Sequence, residues 1–107
     1  MTMPRRISLS AAALAAAVMV GLAAPPPAQA GCSKRVILYD ATWCPYCRQV
    51  RAILARNKIR YSVRNADNPR VQAEMIKRFG DASVPRTVIG RSVVHGVNES
   101  RIRQLCR

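Results

Sequence analysis

Val36-Ile37-Leu38-Tyr39 is an unbroken apolar run, the pattern of a strand covered on both faces, and it predicts a central strand over residues 34–40. The rhythm then changes. Val50, Ile53 and Leu54 recur at helical spacing while Arg48, Arg51 and Arg56 take the opposite side, which predicts a helix over 45–57. Ile59, Tyr61 and Val63 alternate, reading as a short strand over 59–64. Asn68-Pro69 is a cap followed by the residue suited to the first helical position. From there Val71, Met75, Ile76 and Phe79 mark the expected buried side of a helix that Gly80 stops. Residues 86–89 and 92–95 read as strands around a Gly90-Arg91 turn, Gly96 breaks the second, and Asn98 caps a last helix running through Leu105. The order is βαβαββα, and a four-stranded mixed sheet flanked by helices uses every one of these elements, an α/β class.

The first thirty residues follow a different pattern. Arg5 and Arg6 precede a charge-free stretch from Ile7 to Ala24, rich in Ala, Leu and Val; three prolines and then Ala28-Gln29-Ala30 follow. A basic start, an apolar middle and small residues before a cleavage point form the layout of a secretory signal peptide, with cleavage expected after Ala30. The domain reading is therefore 1–30 signal peptide and 31–107 folded domain, destined for a periplasm or the cell exterior. An uncleaved membrane anchor is the alternative; the run is at the short end for a span.

Lys and Arg number 18 against 5 Asp and Glu, a formal net charge of +13. Taking Arg5 and Arg6 away with the leader lowers it from +13 to +11. Such a balance suits anionic partners or a self-repelling domain alike. No block of five like charges occurs, and no nucleic-acid partner is expected.

All four cysteines lie beyond the leader, in a segment expected to reach an oxidising compartment. Cys44 and Cys47 stand two residues apart, after a strand and at the start of a helix. The free N–H groups and partial positive charge of a helix N-terminus favour a thiolate there, and a thiolate is the nucleophile of disulfide exchange. A closed zinc site would need four ligands, and the chain has one His, so no metal site is expected. His95 is read as structural or solvent-facing.

Over nearly the full length of residues 31–107 the chain resembles glutaredoxins, members of the thioredoxin-like superfamily. Cys44-Pro45-Tyr46-Cys47 is the dithiol glutaredoxin sequence, Ser83-Val84-Pro85 is similar to that family's Thr-Val-Pro loop, and His95-Gly96-Val97-Asn98-Glu99 is similar to its Gly-Gly-x-Asp segment. The resemblance implies a thiol–disulfide oxidoreductase with Cys44 as the exposed attacking thiol and Cys47 as the resolving one. It implies a cis Pro85 beside the pair. It also implies a substrate or glutathione site made by Tyr46, Val84, Pro85, Gly96, Val97 and Asn98, with Arg86 adding positive charge. No bound cofactor is implied, and glutathione is a candidate co-substrate. Protein disulfides or glutathione mixed disulfides are the expected partners, of a chain expected to be monomeric and not stably inserted in a membrane once cleaved.

The chain departs from that family at three glutathione contacts. Asp40-Ala41-Thr42 lacks the usual lysine, His95 replaces the first glycine, and Asn98 replaces an acidic residue; Trp43 is a thioredoxin habit. Selectivity for glutathione is therefore expected to be weak. An envelope copper carrier using the same cysteine pair is one alternative function, since soft thiolates suit Cu(I), and a cationic binding module is another. In the expected topology Cys32, before the first strand, and Cys106, ending the last helix, lie on the side away from the active site, and an intramolecular disulfide is expected between them. Two unrelated cysteines, one lipidated or paired between chains, are the alternative.

Overall fold

The computed structural model describes residues 31–107, so the expected signal peptide and its cleavage point after Ala30 lie outside the described residues. The elements are β1 (Val36–Asp40), α1 (Pro45–Arg56), β2 (Ser62–Asn65), α2 (Pro69–Phe79), β3 (Arg86–Ile89), β4 (Ser92–His95) and α3 (Glu99–Leu105). The four strands form one sheet in the order β2-β1-β3-β4. β1 runs parallel to β2, with Leu38 opposite Val63, and antiparallel to β3, with Ile37 opposite Val88; β3 and β4 form an antiparallel hairpin. This is a thioredoxin-like α/β fold.

The apolar run takes the inner position that its continuity demands. Because side chains alternate across a strand, Val36 and Leu38 join one core while Ile37 and Tyr39 join another. The first core packs Val50, Ile53 and Leu54 of α1 and Ile102 of α3 on the sheet. The second packs Val71 and Met75 of α2 on the opposite face, with Phe79 edge-on to Tyr39. Local signals end the helices: Asn68 accepts from the Arg70 N–H at one end of α2, and Gly80 takes a left-handed φ of 93° at the other.

One expectation about a buried residue and two about where strands begin need correction. Ile76 faces solvent, because Val71, Met75 and Phe79, each four residues apart, already define the buried stripe. Val63 is also exposed, because β2 is an edge strand whose side chains are all exposed. β2 starts at Ser62 instead of Ile59, because Ile59 donates its N–H to the Leu54 carbonyl at the end of α1 and is buried there. β1 begins two residues later than expected, at Val36; Lys34 instead sends its ammonium to the Leu105 carbonyl, 2.7 Å away.

At the end of the sheet where β1 starts, Cys32 and Cys106 are joined in a disulfide with their Cα atoms 4.4 Å apart. Among the described residues no helix is long and apolar enough to cross a membrane.

Candidate active site

The other end of β1 delivers the chain into the cysteine pair. Asp40 closes the strand, Ala41 to Trp43 form the turn, and Cys44 takes the N-cap position of α1 in an extended conformation (φ −92°, ψ 110°), with Pro45 opening the helix. Asp67, in the loop after β2, accepts from the Thr42 N–H at 3.1 Å and from the Thr42 hydroxyl at 2.8 Å. These bonds hold the Asp67 carboxyl below the usual carboxylate range. They also clamp the active-site turn to the neighbouring loop.

Both cysteines are reduced. The Cys47 backbone N–H donates to the Cys44 sulfur at 3.1 Å, so the sulfur takes the place of a capping oxygen at one of the free N–H groups of the first turn. Cys47 is fully buried. Burial first, and then the hydrogen bond to Cys44, push its thiol up to about 12. The pair is thus unequal by position: the sulfur of one caps the helix, while that of the other lies inside it.

Cys44 was expected to be exposed, but it is only 2% accessible. Its sulfur turns inward as the cap, and Ala41 and the half-buried Val84 pack around the pair. What stands open beside it is aromatic, with Trp43 70% and Tyr46 60% exposed.

Val84 belongs to the loop preceding β3. The Val84–Pro85 peptide bond is cis, and the Pro85 carbonyl accepts the Gly96 N–H at 3.0 Å. This bond brings the segment after β4 to the same end of the molecule. Gly96 has φ +70°, a region that favours glycine, and open space where a side chain would be, so backbone conformation and not crowding accounts for glycine there. Val97 is exposed, and Asn98 caps α3 by accepting the Arg101 N–H. The structure thereby gathers Cys44, Tyr46, Val84, Pro85 and Gly96 at one end of the sheet, with Val97 and Asn98 leading from there into α3.

Arg86 does not join them, which corrects its expected place in the substrate site. It is 2% exposed. Its guanidinium lies 4.6 Å over the Phe79 ring, pairs with the Asp81 carboxylate at 2.7 Å and donates to the Asp81 carbonyl at 3.0 Å. Its Nε also donates to Nδ1 of His95 at 3.3 Å. Asp81 accepts the Ser83 N–H as well, and these bonds hold its carboxyl down to about 2. Arg86 therefore ties down the loop that carries Val84 and Pro85. Strand alternation explains the difference: Arg86 shares a face with Val88, toward α2.

Sequence reasoning missed Asp40. It is buried beside Cys47, ion-paired with Arg51 one helical turn beyond that cysteine, and its charge adds to the rise of the Cys47 thiol. The available signal was an acid ending an apolar strand four residues before a cysteine. Among the described residues no group of three or more His, Cys, Asp or Glu side chains is placed to hold a metal ion.

A family model described as glutaredoxin matches residues 36–94, from the start of β1 to within β4. The chain belongs to the glutaredoxin family. The glutaredoxin of Pseudomonas aeruginosa is 31% identical to it over 65 residues, covering 60% of this chain and 77% of that protein. Among solved structures, the glutaredoxin of Archaeoglobus fulgidus superposes with a TM-score of 0.61 at 27% identity, covering 70% of this chain and 88% of that one. The glutaredoxin of Brucella melitensis does so with a TM-score of 0.53 at 32% identity, covering 66% and 78%. Family and fold together support thiol–disulfide oxidoreductase activity for this glutaredoxin.

Proposed function

We propose that this glutaredoxin exchanges disulfides through Cys44 and Cys47, in a periplasm or outside the cell, after its leader is removed at Ala30. One observation carries the reading: the Cys44 sulfur sits at the N-terminus of α1, accepting the Cys47 N–H, next to the Val84–Pro85 loop. A negative sulfur at that position gains from the same N–H and from the field of the helix end. Cys44 thiolate attacks one sulfur of a substrate disulfide, forming a Cys44–substrate bond and expelling the other sulfur as a thiolate. Cys47 then gives up its proton and attacks the Cys44 sulfur. The Cys44–Cys47 disulfide forms, the second substrate thiolate leaves, and two electrons have passed to the substrate. A thiol such as glutathione resets the pair, and the reverse sequence oxidises a substrate dithiol.

Tyr46, Val84, Pro85, Gly96, Val97 and Asn98 are the proposed substrate contacts. The chemistry needs no bound cofactor, since the two sulfurs hold the electrons. The test is a thiol and metal balance on the reduced protein. Consumption of two thiols per protein disulfide reduced supports the proposal. Stoichiometric Cu(I) uptake by the pair without disulfide reduction would assign it to copper carriage instead.

A further inference from the structure

We propose that the end of the molecule opposite the cysteine pair is a docking surface for an anionic phospholipid bilayer, holding the protein at a membrane with its dithiol facing away. Lys34 and Arg35 precede β1, Lys58 follows α1, Arg60 precedes β2, Arg91 occupies the β3–β4 turn, and Arg107 follows α3; all six are exposed. The fold brings them together. The Gly90 N–H bonds the Arg35 carbonyl, Lys34 reaches the Leu105 carbonyl, and the disulfide joins the chain before Lys34 to the residue before Arg107. Ser62 lies beside Ile37, which places the start of β2 at this end too.

Four of the five acidic side chains are elsewhere, and all five are already engaged. Asp40 pairs with Arg51, Glu74 with Arg64 and Asp81 with Arg86, while Asp67 accepts from Thr42. Glu99, the acid closest to this end by its bond to Asn57, is neutralised by Arg56 at 2.5 Å. None of the six cations is ion-paired with a carboxylate among the described residues.

A cap of unpaired cations is the complement of a sheet of phosphate headgroups, and each Lys or Arg held near such a surface strengthens binding by roughly fivefold. A lipid surface fits better than nucleic acid. Trp43 and Tyr46, the most exposed aromatic side chains, stand at the other end, and Tyr61 at this end is packed against the core and not free to stack on a base. Gly31 lies against the carbonyls of Asn57 and Lys58, which places the residue after the proposed cleavage point at this end too. β1 spans about 16 Å, so docking at one end leaves the cysteine pair clear of the headgroups.

The test uses the protein as isolated from cells that secrete it, with whichever N-terminus it carries. Sedimentation is compared on vesicles of phosphatidylcholine alone and of phosphatidylcholine with about one-third phosphatidylglycerol. Binding to the anionic vesicles only, weakened at least tenfold by raising salt to about 0.5 M, is expected. Arg35→Glu/Arg91→Glu should cut it at least tenfold while leaving reduction of a small soluble disulfide within about twofold, which also shows that the variant is folded. Arg48→Glu/Arg70→Glu makes the same change in net charge at the first turns of α1 and α2 and should cut binding less than threefold. Equal losses in the two variants, equal binding to both vesicles, or retention by duplex DNA without retention by anionic vesicles would each overturn the proposal.

Discussion

The N–H of Cys47 points at the sulfur of Cys44, 3.1 Å away, so the peptide that starts the α1 ladder also addresses the reacting atom. The bond separates the roles of two residues that the sequence presents as a symmetrical pair. Cys44→Ser is expected to abolish disulfide exchange, and Cys47→Ser to accumulate mixed disulfides at Cys44 that mass spectrometry detects. Alkylation of the reduced protein near neutral pH should label Cys44 first. Faster labelling of Cys47 would reverse the assignment.

Burial of the Cys47 thiol gives a pH dependence with a definite sign. Its folded value, about 12, lies above the ordinary thiol value of about 8.5, so the folded state favours the protonated form. That contribution to stability is complete below about pH 8.5 and is lost as the pH climbs toward 12. Denaturant midpoints of the reduced protein should therefore fall over that window more steeply than those of Cys47→Ala. Resolution of the mixed disulfide by Cys47 should also quicken about tenfold per pH unit through the neutral range, as the thiolate fraction does. A flat rate would contradict the role given to Cys47.

Arg86 is predicted to govern stability and loop position, not glutathione charge recognition. Arg86→Ala removes the ion pair to Asp81 and the stack on Phe79, and is expected to cost about 1–3 kcal/mol. Because Asp81 is exposed, it regains water when Arg86 is lost, which keeps the loss below that for a fully buried pair. Chemical denaturation measures it. A variant of unchanged stability with a large, selective rise in the glutathione KM would place Arg86 back in the substrate site.

Glutathione itself is expected to be a weakly discriminated partner. The turn before Cys44 carries no lysine, and the acid that precedes it, Asp40, is paired with Arg51. Turnover with glutathione should rise without saturating through the millimolar range, against efficient exchange with protein disulfides. Tight saturation by glutathione would make this an ordinary member of its family in that respect.

The Cys32–Cys106 bond closes a loop with a sequence separation of 74, which the chain-entropy estimate values at about 4 kcal/mol. In a domain this small that is a large share of the whole. Cys32→Ser/Cys106→Ser is expected to lose about 3–5 kcal/mol in urea while keeping the reactivity of Cys44. A loss under about 1 kcal/mol would mean that packing alone holds the two ends.

How the sequence and the fold divided the work follows from the range of each interaction. Strand and helix identities depend on neighbours a few residues apart. The run at Val36, the caps at Asn68 and Asn98, and the stop at Gly80 are local, and each was legible in the chain. So was the placing of the cysteine pair at a helix mouth. Which side of an element is buried depends on what packs there: Ile76 and Val63 are apolar and exposed because the stripe beside one was already complete and the strand of the other is an edge. The burial of Cys44, the turning of Arg86 toward Phe79 and the pairing of Asp40 with Arg51 are contacts between elements, and no spacing rule encodes them. The same holds for charge. The sequence by itself determined an excess of cations; only the tertiary structure decided that four of the five acids are ion-paired to other cations, while six cations without a carboxylate partner share the end farthest from the reacting sulfur. Coulomb interactions depend on distance in space, and chain folding sets that distance.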